Sequence, residues 1–204
     1  SGLVVKDFTD KNIIDIKYQP ELDLYLTCDF NVDPMCWELA HKTEDKVFFF
    51  DEIAMENTTT SKACDEVFRR YPNHKGKLII NGDASGDNRS CTSEYTNYVI
   101  MKKKFLNYGF DIDIRLKPFN PPIKNRIMAF NSKIHNANEE IGLYISPKCE
   151  KLLYNIYNLK YKEGTSRIDL PTYQQIKQSK DKKFLMHPLD AASYLVDYYW
   201  PIKL

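Results

Sequence analysis

The chain has 204 residues and an apolar content of 43%, which allows a sizeable core and fits one globular domain or at most two. No run approaches the ~18 consecutive apolar residues of a membrane span, and no segment resembles a signal peptide. We therefore expect a single soluble, intracellular domain.

The net charge of +1 conceals an uneven distribution along the chain. Residues 1–100 hold 11 basic and 18 acidic side chains, whereas residues 101–204 hold 18 and 10. Such a division suits a protein that collects carboxylates around cations in one region and neutralises a polyanion with another. Ordinary solvated surface charge is the alternative explanation, and the charges alone leave it open.

The cysteines argue against both a disulfide framework and a zinc site. Their number is odd and no two form a C-x-x-C pair, which favours buried thiols in a reducing compartment. None of the four histidines lies two to four residues from a cysteine, so the clustered ligands of structural zinc are missing. The cysteines are Cys28, Cys36, Cys64, Cys91 and Cys149.

The first half of the chain predicts an antiparallel meander. Residues 1–20 carry no strong pattern and form a lead-in. Apolar residues then alternate over residues 22–30, which predicts a strand ending at Asp29. Strand-like runs over residues 35–40 and 46–53 follow, and the polar turn between these two is short enough to connect antiparallel neighbours.

The middle of the chain alternates helices with strands. Hydroxyl residues at 58–61 and helical spacing up to Pro72 predict a capped helix. The unbroken apolar run at residues 77–81 is typical of a central parallel strand. Alternation of this kind predicts a mixed α/β fold. The remaining predicted elements are a helix over 93–107, a strand over 111–116, a helix over 123–136, a strand over 143–145 and a helix over 147–159.

Residues 160–186 predict an exposed basic arm or hairpin, because they are polar, show little periodicity and are rich in lysine. The chain then closes with an apolar helix in which Pro188 suits the first helical position, so Asp190 falls in the first turn. The basic residues of the arm are Lys160, Lys162, Arg167, Lys177, Lys180, Lys182 and Lys183.

Three aspartates are the candidate functional residues. Asp29 ends one apolar strand and Asp83 directly follows another, so neighbouring strands would bring both carboxylates to one sheet edge, where Asp190 could join them. Carboxylates that converge need a shared hard cation, and oxygen ligands suit Mg²⁺ or Mn²⁺. Two such ions can hydrolyse a phosphodiester. Each aspartate also has an ordinary explanation, as a turn former, a loop residue or a partner of the helix dipole.

Motifs around these aspartates occur together and in one order. They are D-F-N-V-D-P after the first strand, I-I-N-G-D-A-S-G after the central strand and H-P-L-D-A-A-S-Y-L near the end, with K-N-R-I-M-A-F-N and G-L-Y-I-S-P-K-C-E-K-L between them. Over residues 22–201 the chain resembles the C-terminal nuclease domain of the large terminase subunit of tailed bacteriophages.

This resemblance implies a ribonuclease H-like fold with a central five-stranded mixed sheet. It also implies a metal-dependent endonuclease that cuts concatemeric double-stranded viral DNA during genome packaging. Asp29, Asp83 and Asp190 match the family's metal-binding acids, and His187 matches a histidine found beside the site in some members. The implied partners are DNA, the small terminase subunit and the portal, and the implied location is the host cytoplasm.

Other residues near these motifs are weaker candidates. Asn31 and Asp33 could support the metal ligands, although a turn explains them equally well. Glu52 could face the metals from the third strand, but alternation leaves open whether Glu52 or Asp51 points inward. His187 could equally cap its helix.

Phosphate contacts should come from exposed basic residues, because cutting with little sequence preference depends on backbone neutralisation. A solvated helix face is the alternative for the lysine run at 102–104. The candidates are Lys102, Lys103, Lys104, Lys124 and Arg126, with Lys160, Lys162, Arg167, Lys180, Lys182 and Lys183 of the arm.

Other functions remain open at this point. A resolvase or transposase-like nuclease would share the acidic triad, and a non-catalytic DNA-binding or portal-docking module would use the same carboxylates structurally. The sequence has no G-x-x-x-x-G-K-[ST] loop for nucleotide phosphates, so the terminase ATPase domain is not expected here. With Ser1-Gly2 resembling a cloning remnant, we favour an excised nuclease domain over a stand-alone nuclease.

Overall fold

The computed structural model describes residues 2–88 and 95–203, and its elements follow the predicted order. The predicted start of the second helix at residue 93 and Cys91 lie outside the described residues. The strands are β1 (Leu24–Asp29), β2 (Met35–Lys42), β3 (Val47–Met55), β4 (Leu78–Gly82), β5 (Ile112–Ile114) and β6 (Leu143–Ile145). The helices are α1 (Thr60–Arg70), α2 (Asn97–Asn107), α3 (Ile123–Ile134), α4 (Glu150–Asn158), α5 (Tyr173–Gln178) and α6 (His187–Tyr199).

The strands form a mixed six-stranded sheet in the order β5-β4-β1-β2-β3-β6. The predicted meander is confirmed, since β1, β2 and β3 pair antiparallel, while β4 pairs parallel to β1 and β5 parallel to β4. The expected count of five strands is wrong. The sixth is the three-residue β6, which covers the outer edge of β3 in parallel pairing.

Helices cover both faces of the sheet and produce two cores. Alternate residues of β1 separate them, because Leu24, Leu26 and Cys28 pack towards α1 and α2 on one face. On the opposite face, Tyr25 packs into a core supplied by α3, α4 and α6. The mixed α/β class is therefore confirmed as a three-layer arrangement.

Helix α6 lies across β1, β2 and β4. Its attachment to β1 includes one specific bond, in which the buried Thr27 hydroxyl donates to the backbone carbonyl of Ala191 at 2.5 Å. Pro188 occupies the first turn, as its fixed φ angle favours. This docking brings the start of α6 to the edge of the sheet where β1 ends.

The basic arm over 160–186 is more structured than its composition predicts. A bridge between Tyr161 and Ile168 forms the base of a hairpin, and α5 follows with a capping box at Thr172. A 3-10 helix over Lys180–Phe184 leads into α6. The prediction missed α5 because it is short and contributes no buried residue. Among the described residues, no helix combines the length and the apolar content needed to span a membrane.

Candidate functional site

Asp29 and Asp83 stand at the carboxyl ends of adjacent parallel strands. The pairing sets Cys28 opposite Gly82, and the backbone N–H of Asp83 donates to the carbonyl of Cys28 at 2.9 Å. Gly82 has a φ of +143°, and a Cβ there would lie 2.5 Å from the Cys28 carbonyl oxygen. Glycine is therefore required for the chain to turn out of β4 so close to β1.

Asp190 reaches the same edge from the first turn of α6. Burial raises the pKa of Asp190 to about 6. Arg126 opposes this rise, and the negative charge of Asp29 adds to it, which indicates that the two carboxylates are close. The helix docking required for Asp190 to join Asp29 is thus present.

The pKa of Tyr194, which lies one turn after Asp190, is affected by all three acids. Burial raises the pKa of Tyr194, and Arg126 opposes the rise. The carboxylates of Asp83, Asp190 and Asp29 each raise it further. Since Coulomb interactions weaken with distance, the three predicted acids all lie within electrostatic range of one phenol. We call Asp29, Asp83 and Asp190 the carboxylate cluster.

His187 and Asn31 hold one oxygen of Asp29. The Oδ2 atom of Asp29 lies 3.0 Å from Asn31 Nδ2 and 3.0 Å from His187 Nδ1. The Asn31 amide is also 2.9 Å from His187 Nδ1, so one His187 tautomer donates to Asp29 and the other accepts from Asn31. Both residues therefore contact Asp29 through side-chain groups and can orient its carboxylate.

Asn120 holds Asp83 in a corresponding way. Its amide donates to Asp83 Oδ1 at 2.6 Å, and its carbonyl oxygen accepts from the backbone N–H of Ala84 at 2.7 Å. Ser85 adds a backbone N–H bond to the same Asp83 oxygen at 2.8 Å. Sequence reasoning missed Asn120, because no local pattern connects a loop asparagine to an aspartate 37 positions away.

Arg126 lies inside the site rather than on the DNA-contacting surface that the sequence suggested. It is 3% exposed, and its Nη1 donates to Asp190 Oδ1 at 2.8 Å and to Ser193 Oγ at 2.6 Å. Its guanidinium carbon also lies 4.1 Å from the centre of the Tyr194 ring. Burial contradicts a surface phosphate contact in this conformation, because the positive charge is engaged by Asp190.

Glu52, and not Asp51, points to the face covered by α4. The Glu52 carboxylate accepts the backbone N–H groups of Lys151 and Leu152 at 2.6 and 3.1 Å, at the start of α4. Asp51 instead pairs with Arg70 on the other face. Burial raises the pKa of Glu52 to about 7. The two backbone N–H groups that Glu52 binds are those that a helix-capping side chain binds. These contacts are structural and differ from those of a metal ligand.

Besides Arg126, two more of the candidate phosphate ligands are engaged by carboxylates. Lys104 pairs with Asp65, and Lys183 pairs with Asp33 at 2.5 Å and with Glu56 at 2.9 Å. Asp33 therefore links the loop after β1 to the arm. Lys182 is partly buried. The exposed candidates are Lys102, Lys103, Lys124, Lys160, Lys162, Arg167 and Lys180.

The chemistry of the carboxylate cluster fits a hard divalent cation. One oxygen of each aspartate takes part in the bonds above, and the second oxygen of each lies outside them. Carboxylate oxygens are the ligands that Mg²⁺ and Mn²⁺ prefer. Within residues 2–88 and 95–203, no three His, Cys, Asp or Glu side chains are close enough to enclose an ion as they stand.

No family model matches the chain, and no curated protein matches its sequence. Solved structures do match its fold. The large terminase of a thermophilic bacteriophage aligns with a TM-score of 0.63 at 14% identity, covering 96% of this chain and 45% of that terminase. The P22 large terminase nuclease domain aligns with a TM-score of 0.60 at 12% identity, covering 96% of this chain and 97% of that domain.

A third structure, the large terminase nuclease of the thermophilic phage G20c with bound magnesium, aligns with a TM-score of 0.50 at 13% identity. The alignment covers 89% of this chain and 82% of the G20c nuclease chain. The chain thus spans less than half the length of the first of these terminases and nearly the whole of the P22 nuclease domain. The expected fold is confirmed, since this chain has the fold of large terminase nuclease domains.

Proposed function

We propose that this chain is a metal-dependent endonuclease that cuts double-stranded viral DNA during genome packaging. The observation that carries the proposal is the placement of Asp29, Asp83 and Asp190 at one edge of the sheet, on a fold shared with terminase nuclease domains. The P22 match covers nearly the whole of both chains, which supports the comparison with the nuclease part of a terminase.

The carboxylate cluster is proposed to hold two Mg²⁺ or Mn²⁺ ions. The oxygen donors support this choice, as does the magnesium bound in the G20c nuclease. When bound, such ions activate a water molecule and stabilise the departing 3′ oxygen of a phosphodiester.

The neighbouring side chains then keep the acids in position. His187 and Asn31 restrict the rotation of Asp29 by holding Oδ2, and Asn120 restricts Asp83 by holding Oδ1. Their interactions leave one oxygen of each acid directed elsewhere. Second contacts of this kind commonly fix the orientation of metal ligands.

The exposed basic residues of the arm and of α2 are proposed to bind DNA phosphates. Lys160, Lys162, Arg167 and Lys180 are exposed, and the arm joins α6 directly beside His187. Binding through phosphates would be strongly salt-dependent. The small terminase subunit and the portal are the proposed protein partners, in the host cytoplasm.

A plasmid-cutting assay with matched variants tests the function. The wild-type protein should convert supercoiled plasmid to linear DNA with Mg²⁺ or Mn²⁺ and not with excess EDTA. Asp29→Asn should abolish cutting, because it removes a charge from the proposed metal ligands. Asp111→Asn is the control, since Asp111 is exposed and precedes β5, at the opposite end of the parallel strands from Asp83.

Two results would contradict the proposal. Folded, nuclease-free Asp29→Asn protein that cuts like wild type would exclude the assigned site. Wild-type protein that binds duplex DNA without metal-dependent cutting would instead support the non-catalytic DNA-binding alternative.

A further inference from the structure

Arg126 is a buried cation within a cluster of acids. It lies on α3 and is 3% exposed, so its charge is almost completely removed from water. A buried guanidinium needs a compensating anion, because leaving one unpaired is strongly destabilising. Asp190 provides that anion at 2.8 Å.

The surroundings hold the guanidinium in one place. Ser193 accepts from Arg126 and donates its own hydroxyl proton to the backbone carbonyl of Asp190 at 2.8 Å. The ring of Tyr194 lies against the guanidinium, and the Nε of Arg126 donates to the carbonyl of Pro121 at 3.4 Å. These contacts connect α3 to the first turns of α6 and bind Asp190 by Oδ1.

The same arrangement also compensates for repulsion between the three carboxylates. Asp29, Asp83 and Asp190 repel one another at one sheet edge, and half-buried carboxylates without a cation favour separation. Arg126 places a permanent positive charge beside this cluster, because a guanidinium remains protonated in proteins.

We infer that Arg126 is a positioning residue that acts through Asp190 as the resident cation of the carboxylate cluster. It keeps the acids assembled when no metal is bound and leaves Asp190 Oδ2 outside the ion pair. The metal-related part of this inference rests on the proposed function, whereas the charge-compensating part does not.

Removal of the resident cation should make folding depend on metal. In Arg126→Gln protein the cluster lacks its fixed positive charge, so a divalent ion that binds only the folded state should stabilise the variant more than it stabilises wild type. A side chain that served only for packing would lower the melting temperature equally with and without metal.

The experiment measures melting temperatures of the full chain at pH 8, in EDTA and in Mn²⁺, for four proteins. These are wild type, Arg126→Gln, the double variant Arg126→Gln/Asp190→Asn, and the control Arg70→Gln. Arg70 is another arginine paired with an aspartate, Asp51, and is partly buried, but its partners lie on α1 and β3 on the other side of the sheet.

In EDTA, Arg126→Gln should melt below wild type, and the double variant should recover at least half of the loss because it removes the unpaired carboxylate. With Mn²⁺, the rise in melting temperature should be larger in Arg126→Gln than in wild type by at least about 4 °C. The Arg70→Gln control should show the wild-type rise.

An equal Mn²⁺ shift in wild type and Arg126→Gln would overturn the resident-cation role. Failure of Asp190→Asn to recover stability in EDTA would overturn the link through Asp190. If Arg126→Gln proves insoluble, the double variant decides the question, since recovery of soluble folded protein is expected only if the unpaired Asp190 caused the defect. The EDTA comparison uses neither metal nor DNA cutting, so its outcome does not depend on whether the proposed nuclease function is correct.

Discussion

Replacing Glu38 with glutamine tests the buried carboxyl pair on β2 and β3, because it removes a titrating group with little change in size. Glu38 is 1% exposed and lies directly opposite Glu52. Burial raises the pKa of Glu38 well above its ordinary value of 4.5, and the charge of Glu52 adds to the rise. The folded protein therefore retains a proton on Glu38 at pH values where the unfolded chain has released it.

The sign of the pH dependence follows from this difference. The stability associated with the raised pKa is fully present below pH 4.5 and is lost as the pH rises towards the folded pKa of Glu38. One excess proton corresponds to about 1.4 kcal/mol per pH unit. Relative to Glu38→Gln, the free energy of unfolding of wild type should thus fall as the pH rises from 5.5 to 7.5, by up to about 1.4 kcal/mol for each pH unit over which the excess proton is held.

Urea unfolding followed by tryptophan fluorescence measures this difference at each pH. Glu163→Gln is the control, because Glu163 is exposed on the arm and its replacement should produce no pH-dependent difference. A constant difference between wild type and Glu38→Gln across this pH range would refute the reasoning, since it would show that folding does not hold a proton on Glu38.

Three further predictions concern the candidate site. Asn120→Ala should reduce cutting at least about tenfold with normal circular dichroism, because Asp83 loses the amide that restrains it; an unchanged cutting rate would contradict this role. Thr27→Val should destabilise the protein by about 1 kcal/mol in urea unfolding because it removes the hydrogen bond from the Thr27 hydroxyl to the Ala191 carbonyl, whereas Thr27→Ser should not. Neutralising four exposed basic residues should weaken duplex DNA binding. The slope of log affinity against log salt should fall by about 0.9 for each phosphate that is no longer neutralised. An unchanged slope would exclude these residues as phosphate contacts. These four residues are Lys160, Lys162, Arg167 and Lys180.

The sequence was informative where function lies close to a local pattern. Asp29 follows an alternating strand, and Asp83 follows an unbroken apolar run, so the ends of β1 and β4 were predictable. Pro188 likewise marks the first turn of α6, which places Asp190 correctly. Once β1 and β4 are neighbours in the sheet, Asp29 and Asp83 lie at the same sheet edge.

Contacts between distant segments could not be predicted in this way. Arg126 and Asp190 are separated by 64 positions, and basic character alone suggested a DNA contact for an arginine that is buried. The orientation of Glu52 also depends on α4, because alternation distinguishes two faces without identifying which one a helix covers. The sixth strand, β6, is recognisable as a short apolar run, but its place in the sheet depends on the exposed edge of β3.

The bond between Thr27 and Ala191 joins residues 164 positions apart, near the two ends of the chain. The carboxylate cluster is therefore complete only after the last helix has been synthesised and has docked. A nascent chain that lacks α6 carries Asp29 and Asp83 but has neither Asp190 nor His187. During synthesis, Asp29 and Asp83 are thus present before the site can assemble. Any activity that requires all three aspartates begins only after α6 has docked.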